Sequence, residues 1–92
     1  MEMLLIKKGT TEWEYMWDYV ANHPINEGID EPRLAINEGE GWQYIGSYKN
    51  GKQIIHEVRH RFHPKTMGVY KLSFNGSESF TDDQIEKSTK LK

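Results

Sequence analysis

Residues 42–63, WQYIGSYKNGKQIIHEVRHRFH, decide how the rest of this chain is read. Asn50-Gly51 stands near their middle. Asn-Gly is the strongest two-residue hairpin signal, because a type I′ turn needs positive φ at both central positions and these residues reach it at least cost. Residues 53–62 are rich in β-branched and aromatic side chains and contain no Gly or Pro, the composition of a strand. With Asn50 and Gly51 as the loop, Lys49 pairs with Lys52, Tyr48 with Gln53, Gly46 with Ile55, Tyr44 with Glu57 and Trp42 with Arg59.

Side chains alternate between the two faces of a strand, so this register sorts them. One face collects Gln43, Ile45, Ser47, Ile54, His56, Val58, His60 and Phe62; the other collects Trp42, Tyr44, Tyr48, Ile55, Glu57, Arg59, Arg61 and His63. The charged residues on the strand arms fall on the second face. Burying an unpaired charge costs several kcal/mol, so the first face is expected to meet the core. Aromatic and arginine side chains are left together on the more open surface.

Outward from the hairpin, the apolar residues Trp13, Met16, Trp17 and Val20 recur at i, i+3, i+4 and i+7, which makes one helical stripe. Thr11-x-x-Glu14 matches a capping box at its start, and Pro24 disfavours helix at the residue before it. The spacing predicts a helix over about residues 12–22, lying as a lid on the core face of the sheet. Met3 to Ile6 reads as a short strand. Residues 69–74 alternate as a further strand with Tyr70, Leu72 and Phe74 on one face. Thr81-x-x-Gln84 is a second capping box, with Phe80 and Ile85 placed for a hydrophobic staple. It predicts a short helix over about 82–90, with residues 86–92 fraying into a disordered tail. Residues 24–41 read as an acidic loop with a short strand near 33–37.

These elements predict one small α+β domain: an antiparallel sheet of about three to five strands packed by an N-terminal helix. With 92 residues the chain suffices for one domain, not two. Cysteine is absent, which excludes disulfides and thiolate metal sites and gives no sign of an oxidising compartment. Only four consecutive apolar residues occur near the N-terminus, too few for a signal peptide or a membrane span. A soluble, cytoplasmic protein is the expectation. The net charge of −2 is unevenly spread: residues 1–48 carry nine acids against three bases, and residues 49–71 carry six bases against Glu57. Such asymmetry marks either a contact surface or an attraction within the fold.

His56-Glu57-Val58-Arg59-His60 resembles the H-E-x-x-H signature of zinc metallopeptidases. The resemblance implies His56 and His60 as zinc ligands and Glu57 as the general base, with His63 or His23 completing the set. That chemistry needs both histidines one turn apart on a helix. Ile54, Ile55, Val58 and Phe62 instead predict a strand, on which four residues span about 13 Å and Glu57 points to the opposite face. A zinc-dependent hydrolase is therefore the least favoured reading. No catalytic residue, metal ligand or cofactor is assigned.

The expected function is binding without catalysis, by a contact face made of Trp42, Tyr44, Tyr48, Arg59 and Arg61. Trp, Tyr and Arg are the residues enriched among interface hot spots, which favours a protein partner, in an interaction, accessory or inhibitory role. Single-stranded nucleic acid is the alternative, with bases stacked on the same aromatics. Neither a membrane partner nor an oligomeric state follows from these residues.

Overall fold

The structure, a computed structural model, describes residues 2–29 and 41–90. Five antiparallel strands form one sheet: β1 (Glu2–Ile6), β2 (Trp42–Asn50), β3 (Gln53–His63), β4 (Gly68–Asn75) and β5 (Ile85–Lys90), in the spatial order β4-β3-β2-β1-β5. The helix α1 (Thr11–Asn22) follows β1 and lies across one face. The α+β architecture, the lid helix and the strand over 69–74 are those the sequence predicts. The short strand expected near 33–37 lies outside the described residues.

The helix forms where its stripe predicts. Trp13, Met16, Trp17 and Val20 are all buried, and they pack with Ile6, Trp42, Val58 and Phe74. Burying four such side chains contributes on the order of 6–12 kcal/mol as an upper estimate. The cap lies one residue earlier than the sequence suggests. Thr10, not Thr11, is the N-cap, and its hydroxyl accepts from the Trp13 N–H at 3.2 Å.

The C-terminal segment departs from its predicted helix. Residues Asp82–Gln84 make one 3-10 turn, and Ile85–Lys90 continue as β5 against β1. Gln84 is buried, and its Oε1 accepts from the Thr11 hydroxyl at 2.9 Å and from the Glu12 N–H. The residue that looked like the end of a local capping box therefore caps α1, far away in sequence. With Gln84 committed there and little apolar stripe beyond it, pairing with the free edge of β1 satisfies the backbone better than a lone helix would.

The central hairpin also shifts. Asn50 pairs with Gln53, Ser47 with His56 and Gly46 with Glu57, so the loop is Gly51-Lys52. Gly51 alone in this loop takes a positive φ, +66°, which suits a type II′ turn with glycine first. Beyond Gly46 the register changes, and Tyr44 pairs with Val58, Gln43 with Arg59 and Trp42 with His60. Ile45 is the extra residue of a β-bulge, and the bulge turns every preceding side chain over. A second irregularity in the β3–β4 ladder, between His60 and His63, leaves Phe62 79% exposed and buries His63.

Candidate contact face and the buried polar chain

The two bulges correct the expected face assignment. Trp42 is 1% exposed and Tyr44 is partly buried, both on the helix side. Gln43 takes the place they were expected to hold on the outer face, while Phe62 leaves the core. The assignments of Ser47, His56, Val58 and His60 to the helix side and of Tyr48, Glu57 and Arg59 to the other agree with the pairing seen.

The outer face is built in rows across the strands. Gln43, Arg59 and Lys71 are successive Cα partners on β2, β3 and β4. The Arg59 Nε donates to Gln43 Oε1 at 3.2 Å beside a depression of about 370 Å³ lined by Gln43, Tyr44, Ile45 and Arg59. The next row is Glu57 with Ser73, and beyond it lie Tyr48 and Ile55. Arg61, Lys71 and Val69 are exposed. Arg59 and Lys71 therefore stand directly opposite one another, an arrangement of like charges that weakens a strand pair. Neither has a carboxylate partner among the described residues.

The helix face holds the concentrated polar chemistry. Glu12 Oε2 lies 2.6 Å from His56 Nε2 and accepts from the Ser77 N–H at 2.9 Å. His56 Nδ1 lies 2.6 Å from Ser47 Oγ, which lies 2.6 Å from the Tyr44 hydroxyl. That hydroxyl accepts from the Ile6 N–H at 3.2 Å. Burial lowers the pKa of His56, although the hydrogen bond and charge of Glu12 pull it upward. Burial likewise raises that of Tyr44, against its bonds to Ser47 and the Ile6 N–H. With His56 neutral, Nε2–H goes to Glu12 and Ser47 donates to Nδ1, so the Tyr44 hydroxyl, which also lies 3.3 Å from the Leu4 carbonyl, gives its proton to the shorter contact with Ser47.

Ser47, His56 and Glu12 thus share the connectivity of a hydrolytic triad. They do not share its access. All three are at most 1% exposed, and no acyl group can reach the Ser47 hydroxyl. The arrangement satisfies buried polar groups and holds α1, β2, β3 and the 76–77 turn together. Glu12 was missed in the sequence, although it sits four residues before Met16 and eight before Val20. A carboxylate in register with a buried stripe needs a partner, and that was the available signal.

A second polar hub closes the other end of the core. Asn26 Oδ1 accepts from Trp42 Nε1 at 3.0 Å and lies 3.3 Å from His63 Nε2, while its Nδ2 donates to the Val20 carbonyl at 2.6 Å. His63 Nδ1 accepts from the Lys65 N–H at 3.1 Å, so the neutral ring carries its proton on Nε2. His56 and His60 both lie on the strand β3, and both ring nitrogens of His56 are engaged. They are not the helical pair that the zinc-peptidase signature requires, and no group of metal-ligating side chains forms among the described residues. No helix among them is long and apolar enough to cross a membrane.

Comparison with protein-family models, curated proteins and solved structures finds no match to this chain.

Proposed function

We propose that this protein is a non-catalytic binding module whose outer sheet face receives an acidic surface of a protein partner. The observation that carries the reading is the Arg59–Lys71 cross-strand pair, with Arg61 nearby and no carboxylate answering either cation among the described residues. Facing cations cost stability within the sheet, and an anionic partner removes that cost while gaining charge-assisted bonds. Val69 supplies apolar area beside them, and Tyr48 and Ile55 supply more beyond the Glu57–Ser73 row.

The bulge also bears on the choice of partner. Trp42 and Tyr44 sit on the helix side, which leaves Tyr48 as the one aromatic of the expected set on the outer face. Single-stranded nucleic acid needs a series of stacking platforms. A protein partner needs charge complementarity and a modest apolar centre, which this face has.

The test is capture of partners from cell extract by wild type and by Arg59→Glu/Lys71→Glu, each with and without nuclease. The expected result is a specific protein that survives nuclease treatment and is lost with the charge-reversed variant. A partner that nuclease removes, or one indifferent to charge reversal, would contradict the proposal.

A further inference from the structure

β4 is hydrogen-bonded on one side only among the described residues. The direction of its backbone groups follows from one bond. The Gly76 N–H donates to the Ile54 carbonyl at 2.6 Å, so alternation turns Phe74, Leu72 and Tyr70 toward β3 and turns Asn75, Ser73, Lys71 and Val69 away from it. The Asn75 carbonyl, on the outward side, is taken by the Tyr15 hydroxyl at 3.0 Å. Val69, Lys71 and Ser73 have no such partner among the described residues.

This edge has few of the devices that keep edges closed. β4 holds no proline, no carboxylate and a single charge, Lys71, whereas the opposite edge strand β5 carries Glu86, Lys87 and Lys90. Long, little-charged edges are templates for another strand. At one end of β4 lie the exposed Phe62, Met67 and Val69, which are 79%, 84% and 63% exposed.

We propose that β4 is a strand-addition site for an extended segment of a partner protein, acidic at alternate positions, with an apolar residue at the end that meets Phe62, Met67 and Val69. This rests on the reading of the outer face given above and adds its mode and partner chemistry. Side chains at alternate positions of an added strand would lie beside Lys71 and toward Arg59, where carboxylates are wanted. A second copy fits worse. Two β4 strands paired about a two-fold axis would bring Lys71 and Arg59 of both copies together, with no carboxylate on either strand.

The test uses the full chain, labelled for NMR, and a blocked peptide of alternating valine and glutamate as long as β4. The corresponding valine–lysine peptide is the control. The glutamate peptide should slow hydrogen exchange of the Val69, Lys71 and Ser73 amides by about tenfold or more, and the lysine peptide should not. Lys71→Pro removes an outward N–H without breaking the β3 ladder and should abolish the protection. Lys71→Glu, which keeps the backbone donor, should reverse the peptide preference. Shifts at Arg59 and Tyr48 without edge protection would overturn strand addition and leave the acidic-partner reading standing. No response anywhere to the glutamate peptide would overturn both. Equal protection by the lysine peptide, or a dimer in sedimentation without peptide, would also overturn the inference.

Discussion

Replacing Glu12 is the sharpest test of the buried chain, because its carboxylate serves both the fully buried His56 ring and the part-buried Ser77 N–H. Glu12→Ala strips the acceptor from His56 Nε2 and from the Ser77 N–H. Orphaning the buried His56 donor costs about 1–3 kcal/mol, and orphaning the part-buried Ser77 N–H costs toward the lower end of that range. The carboxylate also lies in the first turn of α1, where the helix dipole favours it by about 0.3–1 kcal/mol. Together these predict a loss between roughly 2 and 7 kcal/mol, with about 3–5 kcal/mol at the middle of that range, against a total of about 5–14 kcal/mol for a chain of this length. For a domain this small the loss corresponds to a fall in Tm of roughly 15–30 °C. Glu12→Gln keeps an acceptor oxygen and should cost about 1–2 kcal/mol. Urea unfolding at fixed pH separates the two variants, and exchange of the Ser77 amide reports the lost bond directly. If Glu12→Ala stays within about 1 kcal/mol of wild type, the chain does not hold the core as argued.

Stability should also fall with acid in a definite window. Burial lowers the pKa of His56, His60 and His63 from the 6.5 of an unfolded histidine, with Glu12 opposing at His56, and His60 and Lys65 reinforcing at His63. The unfolded chain then binds protons more readily, so the stabilisation is complete above 6.5 and is lost as the pH drops toward the lowered folded values. Urea midpoints that stay constant or rise on acidification through this window would contradict the assignment of neutral rings. Met67 holds a φ of +56° in the β3–β4 turn, a left-handed conformation that costs a side chain about 1 kcal/mol, so Met67→Gly should raise stability by about 0.5–1 kcal/mol in thermal unfolding. A Cβ on Gly76 would sit 2.8 Å from Glu12 Oε2 and 3.0 Å from His56 Nε2. Gly76→Ala should therefore lower stability by about 1–3 kcal/mol, measured by urea denaturation, and should shift the His56 ring resonances.

Much of this architecture was legible because local patterns dominated it. The α1 stripe, the hairpin and the alternation of β4 each follow from residues close in sequence. Trp42 and Tyr44 were misplaced because a bulge has no period: one extra residue at Ile45 inverts the alternation, and Gly46 was its only sign. Met3 now packs where a Gly46 Cβ would stand, 2.5 Å from its sulfur, so β1 helps require glycine there. The end of the chain was misread for a different reason. Thr81-x-x-Gln84 is a sound local signal, yet the Gln84 amide is spent on the start of α1, which no window around residue 84 contains. Of the expected contact residues, Tyr48, Arg59 and Arg61 keep the outer-face placement that the alternation predicts, because all three lie outside the stretch that the Ile45 bulge turns over.

The polar groups in this small core do more than satisfy one another; they select the strand register. In the pairing that Asn50-Gly51 alone suggests, Ser47 would face Ile54 and His56 would face Ile45, leaving both polar groups without their partners. The observed register sets Ser47 opposite His56, where Glu12 reaches the remaining ring nitrogen. Continued without a bulge, that register would face Trp42 with Arg61 and carry the indole away from Asn26. The Glu12–His56–Ser47 bonds fix the pairing on one side of Ile45, the Asn26–Trp42–His63 hub fixes it on the other, and the Tyr44–Ser47 bond joins the two across the bulge. A one-residue slip in either half would strand several buried donors at about 1–3 kcal/mol each, a gap that hydrophobic packing of similar side chains would not supply by itself. The bulge is thus the point where the two registers meet, and it is what turns Trp42 and Tyr44 toward the helix and sets Gln43 beside Arg59 on the outer face.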